Sequence, residues 1–442
     1  MIVAPDKLHP ALRPFGTHKT PRFQTDLVKL EAVLRHERGA DDPEKLKRFL
    51  YRNWKHGGLD YVLLVGDVDV LPVRYMVLDR ITPGAFDYSF YPSDLYYADL
   101  AKQDGSFESW NAQTNGFHAG YYGEVRGEKN KADPVNFDEI DYLPEIAVGR
   151  WPVSTLEETR ELVAKTIGYE SNLLSRAGGA VPQAGLIAVG GWVDTRAQMD
   201  RWAEALQRGG WKTAKLQYVD EGKQGAVPNP ESVRALFNSG VDLVVHTGHG
   251  QPDAWEQCFS VRDLDAITNQ NKTVIISAGC STAYFAPLAP YDAYVDVNGV
   301  EHTGTDHKEV FKEPPPPANP YQKGRFNPTG LGEQFLKHRS SGGVAYIGCN
   351  TGSQPCALTL AEGFLEAVAN SPRPILGDCW KSAVATYYGR EKLAELKPDA
   401  GWYPPSIFFQ AMKFMVFGDP SLPLTGGQAQ HSPGSTVNPS SR

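Results

Sequence analysis

Cysteine is scarce in this chain, with five thiols in 442 residues: Cys258, Cys280, Cys349, Cys356 and Cys379. An odd count so widely spaced is no disulfide framework. It points to a reducing compartment or to a fold that does without cross-links. Positive charge is also short: 44 Lys and Arg face 52 Asp and Glu, a net charge of −8 with a pI near 5.8. That balance argues against bulk nucleic-acid binding and against a basic membrane-surface patch. No apolar run approaches the length of a membrane span. The opening residues, MIVAPDKLHPAL, lack the basic start and long apolar core of an export signal. Neither nucleic acid nor membrane is therefore expected as a partner. A cytoplasmic location is favoured, and a truncated N-terminus would leave export open.

What is present suffices for an ordinary globular core, with 41% hydrophobic and 22% charged residues. The length suggests two or three domains or one large α/β unit. Short apolar runs bounded by turn residues predict strands at 2–5, 61–67, 144–150, 184–191, 211–219, 242–248, 273–279 and 343–348. Helical patterns fall between them at 42–56, 154–174, 194–209, 230–240 and 358–371. Asp42 is the expected cap of the first, with Pro43 at its first position. Ser154 and Glu157 are the expected capping box of the second, whose stripe is Leu156, Leu162, Val163, Ile167 and Tyr169. Strands followed by crossover helices imply a mainly parallel sheet covered on both faces.

A break near 175 divides the chain into an N-terminal α/β subdomain (1–175) and a second one (176–425), followed by a disordered tail (426–442). Two stretches escape the pattern: a polar, aromatic, Gly/Asn-rich loop at 80–136 and an insertion at 286–329 containing PPPPANP. Structureless loops this long are uncommon in compact domains and are usually functional.

Two strand ends carry chemistry. LVVHTGHG (243–250) ends in His249 and TVIISAGC (273–280) ends in Cys280. Adjacent parallel strands would bring imidazole and thiol out at one sheet edge, as a cysteine nucleophile and its base require. Taken alone, the pair could equally be a buried core thiol and a satisfied loop histidine. His246 and His249 could also be misread as a metal pair with Cys258 and Cys280. Zinc pairs come as C-x-x-C or as histidines on one helical face, so His246 reads as structural.

HTGHG followed by Trp255, then SAGC, resembles the core of the gingipain-type cysteine peptidases, in the caspase, legumain and separase group. YVLLVGD (61–67), SDLYYADL (93–100), PEIAVGRWPVST (144–155) and VFGDPSLPL (416–424) match further landmarks in order, over roughly residues 1–425. The resemblance implies a caspase-like α/β fold of two side-by-side subdomains with the site on the second. It implies Cys280 as nucleophile and His249 as acid/base, which need not touch the thiol at rest. The backbone N–H groups of Gly250 and Cys280 would then serve the oxyanion. It also implies a pocket residue just before a helix, where Asp194 is the candidate for a basic substrate side chain. Thr195 is the alternative register, and Asp194 also reads as an ordinary N-cap. Trp192 and Asn350–Gln354 would form pocket walls.

The substrate so implied is protein or peptide, and a regulatory partner is left unassigned. A non-catalytic partner-binding module and a small-molecule amidase or transpeptidase are the competing readings. Lys308, Lys312, Lys323 and Arg325 make the insertion a candidate for self-cleavage. No cofactor is required for the chemistry. Asp94, Asp99, Asp104, Glu108, Asn111, Asn115 and Glu124 mix hard-cation ligands in one stretch, a candidate calcium loop without EF-hand spacing. A solvated Gly/Asn-rich loop is the plainer alternative.

Overall fold

Buried runs rich in Val, Ile and Leu form the sheet that organises the molecule. Ten strands build it: β1 (Ile2–Ala4), β2 (Leu27–Lys29), β3 (Tyr61–Val65), β4 (Ala147–Trp151), β5 (Gln183–Ala188), β6 (Lys212–Gln217), β7 (Leu243–Thr247), β8 (Thr273–Ser277), β9 (Gly343–Cys349) and β10 (Phe414–Phe417). Their order across the sheet is β2-β1-β3-β4-β10-β9-β8-β7-β5-β6. The computed structural model describes residues 1–111, 120–176, 180–221, 223–339, 341–401 and 403–426. Asn115 and the tail residues 427–442 lie outside the described residues.

Every pairing is parallel except that of β9 with β10, where Cys349 faces Phe414. The sheet therefore consists of two parallel blocks of opposite direction. β10, the last strand among the described residues, runs with the first block and joins it to the second. Consequently the C-terminal ends of β9, β8, β7 and β5 share an edge with the segment that leads into β10. Helices cover both faces, and two apolar cores lie between them and the sheet. Among the described residues no helix is long and apolar enough to cross a membrane.

All eight expected strands and five expected helices form, with ends shifted by a few residues. The caps differ. Asp41, not Asp42, caps the helix Asp42–Gly57, its side chain accepting from the Glu44 N–H at 3.0 Å. The capping box before Leu156–Arg176 is Thr155 with Glu158, not Ser154 with Glu157. That helix buries Leu162, Val163 and Tyr169, leaves Leu156 and Ile167 half-buried, and also buries Glu170. Glu170 is held by Lys19, His18 and Arg22. Unforeseen are the helices His9–Lys19, which contains Pro14, and Leu376–Arg390.

The two irregular stretches are also more built than expected. Residues 80–136 take part in a hairpin, Arg74–Asp79 with Tyr88–Ser93. Tyr96, Tyr97 and Trp110 are fully buried there. The insertion packs on the first block, with the Gln322 N–H donating to the Val68 carbonyl (3.1 Å) and Val73 to Pro320 (3.1 Å). Lys308, Lys312, Lys323 and Arg325 nevertheless remain exposed.

Candidate active site

The register of β7 on β8 places the two reactive side chains. His246 pairs with Ser277 across the strands. His249 and Cys280 each follow three residues after these partners, so both emerge at the same level of one edge. The edge is also a topological switch point. The chain leaves β5 outward to β6 and returns on the other side of β5 as β7, which opens a crevice beyond the ends of β5 and β7. The expected adjacency of the two runs is thus observed, and both side chains are partly exposed.

His249 does not lean on the thiol. Its Nε2 lies 2.9 Å from the carbonyl oxygen of Gly191, in the turn after β5. A carbonyl only accepts, so Nε2 carries the proton and the lone pair of the neutral ring sits on Nδ1. Gly191 adopts φ +91, a conformation open to glycine, which turns that carbonyl into the crevice.

Cys280 is cradled by backbone. The Ser353 N–H donates to Sγ at 3.2 Å, and the Ser353 carbonyl lies 3.6 Å from the sulfur. Gly250 packs directly against this backbone: a Cβ there would meet the Cys280 carbonyl oxygen at 2.5 Å and its nitrogen at 2.9 Å. Gly279 answers from the other side, where an added Cβ would stand 3.2 Å from the Gly250 Cα. Only glycine at 250 permits so close an approach to the Cys280 backbone.

His246 is structural in its surroundings. It is fully buried, its Nδ1 lies 3.0 Å from Ser277 Oγ, and its ring stacks on Trp255 at 4.5 Å between centroids. Burial pulls its pKa down to about 3, so it stays neutral. The Trp255 Nε1–H donates to Tyr346 at 3.0 Å. Burial also pushes up the thiols of Cys258 (to about 12), Cys349 (about 11), Cys356 and Cys379 (about 12). None of the five cysteines is in a disulfide, and Cys280 alone among them is not buried.

Asp194 is exposed, in the loop after β5. Its carboxylate takes two bonds from Arg196, Nε to Oδ1 at 3.0 Å and Nη2 to Oδ2 at 2.8 Å. Those bonds, with one from Tyr218, hold it well below the usual carboxylate range. Arg196 also reaches Asp220 at 2.9 Å and lies 4.3 Å from the Tyr218 ring. The N-cap residue of the helix Arg196–Arg208 is Thr195, not Asp194. Thr195 is buried, with its hydroxyl 2.7 Å from that of Thr247. Trp192 is half-buried in the same loop.

The carboxylates of 94–124 have protein partners. Asp94 forms a two-bond pair with the buried Arg150, both at 2.7 Å. Asp99 is buried and accepts from Trp110 Nε1 at 2.6 Å, and burial raises its pKa well above the ordinary value. Facing it, Lys47 is fully buried with its ammonium 4.2 Å from the Tyr96 ring centre, and burial lowers it to about 8. Glu108 accepts from the Trp110 N–H (3.0 Å) and exposed Asp104 from Ser106 (2.9 Å). Glu124 pairs with Arg126 at 2.6 Å, and burial pushes it up to about 7. Asn111 lies at the edge of the described segment, next to the Ser109 hydroxyl. Among the described residues no group of three or more His, Cys, Asp and Glu could hold a metal ion, at this loop or at the histidines.

Sequence reasoning missed Gly191, which acts through its backbone carbonyl, and Ser277, the partner of His246 across the strands.

An open sheet of two opposed parallel blocks, with a thiol and an imidazole at the switch point of one, defines a caspase-like α/β protein of the gingipain type. The chain belongs to peptidase family C25, whose family model matches residues 1–425. Gingipain R2 of Porphyromonas gingivalis is 24% identical over 241 residues, covering 52% of this chain and 25% of that protein. A gingipain R1 of the same organism is also 24% identical, covering 52% and 19%. The chain thus spans a quarter or less of the length of these curated relatives. Among solved structures, the Arg-specific cysteine proteinase gingipain R (RgpB) superposes with TM-score 0.60 at 20% identity, over 96% of this chain and 77% of that one. A complex of the Porphyromonas gingivalis RgpB pro- and mature domains gives TM-score 0.59 at 19% identity, over 96% and 79%. These likenesses show the fold.

Proposed function

We propose that this chain is a cysteine endopeptidase in which Cys280 is the nucleophile and His249 the acid and base. The observation that carries the reading is the matched register of β7 and β8, which delivers both side chains to one crevice. The Cys280 thiol gives up its proton to Nδ1 of His249, the resulting thiolate adds to the scissile carbonyl, and the oxyanion is met by the N–H groups of Gly250 and Cys280. His249 gives its Nδ1 proton to the leaving amine as the thioester forms. Water then adds to the thioester, His249 takes its proton, and the acid product leaves with the thiol restored. The Gly191 carbonyl fixes the ring and supports the imidazolium. No step needs a cofactor.

The substrate class is protein or peptide, with Arg or Lys favoured before the scissile bond. Support for that preference comes from the arginine-specific relatives and from the Asp194 and Asp220 carboxylates. A substrate guanidinium would have to exchange with Arg196 to use them. Exposed Lys308, Lys312, Lys323 and Arg325 fit self-cleavage in the insertion, although its ordered packing opposes entry into an extended binding groove. N-terminal sequencing of wild type beside Cys280→Ala tests it, and identical intact chains would end the idea.

Fluorogenic peptides with Arg, Lys, Asn or Asp before the reporter test the main reading. Turnover by wild type that disappears in Cys280→Ala supports it. Silence with every peptide, together with a thiol inert to iodoacetamide, would favour a partner-binding module instead.

A further inference from the structure

Lys413 is a buried cation without an acid. It is 2% exposed, in the turn Ala411–Lys413 that leads into β10. Side chains so deep and charged are ordinarily paired with a carboxylate. Among the described residues no carboxylate oxygen lies within 4 Å of its ammonium. Its contacts are the Gly352 carbonyl and the face of Phe409, 4.5 Å to the ring centre. Burial pulls its pKa down, an effect opposed by the thiols of Cys349, Cys356 and Cys280 and reinforced by the guanidinium of Arg80. Arg80 is itself engaged by the Tyr91 hydroxyl at 2.7 Å and by Glu128 at 3.5 Å.

The same segment grips the loop that cradles the sulfur. The Lys413 carbonyl accepts from the Asn350 N–H at 2.9 Å. Gln410 is fully buried; its Oε1 accepts from the Gln354 N–H at 3.1 Å, and its Nε2 lies 3.4 Å from Ser353 Oγ. With the ammonium of Lys413 on the Gly352 carbonyl, residues 350–354 are tied at four points to 410–413. The amide they present, that of Ser353, is the one aimed at Cys280 Sγ.

We infer that Lys413 and Gln410 are positioning residues for the nucleophile: they lock the 350–354 loop onto Cys280, and Lys413 supplies the buried positive charge that favours its thiolate. The inference rests on Cys280 being the nucleophile, but its test reads the thiol directly. The loop delivers an N–H to sulfur, and the ammonium sits on the adjoining carbonyl in a site with little water to screen it. Removing the charge should cost reactivity at low pH, where thiolate must be favoured.

The experiment is the rate of iodoacetamide alkylation of Cys280, followed by peptide mass spectrometry from pH 6 to 9.5, in wild type, Lys413→Met, Lys413→Arg and Gln410→Glu. Lys413→Met should alkylate about tenfold more slowly at pH 6.5 and within about threefold of wild type at pH 9.5. Lys413→Arg should stay near wild type throughout. Gln410→Glu preserves the acceptor for Gln354 while opposing the cation, and should shift the profile as Lys413→Met does. It also carries the test if Lys413→Met does not fold by near-ultraviolet circular dichroism. Profiles of folded variants that overlay wild type would overturn the inference. Shifted variant profiles beside a wild type that cleaves none of the peptides would instead count against the peptidase reading and leave the positioning role standing.

Discussion

His249 is anchored on Gly191: its Nε2 stands 2.9 Å from that carbonyl oxygen, one strand further from the thiol than the histidine itself. The imidazole is thereby oriented from outside the dyad, with Nδ1 left to exchange the proton. Replacing His249 by Ala should lower kcat by about 10²–10⁴-fold. The melting temperature should change little, because the ring is partly exposed. A peptide assay beside thermal unfolding checks this, and unchanged kcat would remove His249 from the mechanism.

Gly250→Ala tests the backbone contact across the site. The added methyl would meet the Cys280 carbonyl at 2.5 Å and Thr282 Cγ2 at 2.6 Å. Overpacking of this kind costs about 1–3 kcal/mol of stability. Displacing the amides that face the oxyanion should cost about 10²-fold or more in kcat. Chemical denaturation and turnover of the same preparation separate the two effects.

Arg196 occupies the Asp194 carboxylate. If a basic substrate side chain binds there, Arg196→Ala should lower KM for Arg and Lys peptides several-fold, and Asp194→Asn should raise it by about tenfold. Peptides with Asn or Ala at that position should not respond. Equal effects on all peptides would place the specificity pocket elsewhere.

His246 links stability to acid. Its folded pKa, pulled down by burial to about 3, lies below the ordinary value of 6.5. Between those values the unfolded chain binds the proton that the folded one refuses. The contribution is therefore whole above about pH 6.5 and declines as pH falls toward 3, on the order of a few kcal/mol in all. His246→Phe should flatten the fall of melting temperature between pH 6.5 and 4 relative to wild type. Parallel curves would show that other groups set the acid limit.

Asp94 and Arg150 bear on the calcium question. A cation at Asp94 would have to displace a two-bond, buried arginine. Melting temperatures in millimolar calcium and in chelator are expected to coincide, and a rise with calcium would restore the metal. Asp94→Asn should destabilise by about 3–5 kcal/mol in either buffer, since it leaves the Arg150 charge buried without its partner.

The strands were legible because β-branched runs flanked by Gly, Asp and Pro have few alternatives. The helix Leu376–Arg390 was not, since its apolar and polar residues are poorly segregated along the sequence. The caps at Asp41 and Thr155 slipped by one residue because neighbouring Asp, Ser and Thr all have the chemistry of a cap. Residues 80–136 read as polar, yet Tyr96, Tyr97 and Trp110 are buried there. Aromatics at irregular spacing leave no periodic trace.

The sequence by itself determined the alternation of strands and helices, the two strand ends bearing His249 and Cys280, and the family. Each is written in contiguous residues, where local pattern and backbone preference are enough. Tertiary structure alone decided the rest. The antiparallel entry of β10 carries Gln410 and Lys413 to the edge where Cys280 emerges. The turn at Gly191 gives His249 its anchor, and Arg196 claims Asp194. These are contacts between segments far apart in the chain or set by backbone geometry, and no local pattern encodes them.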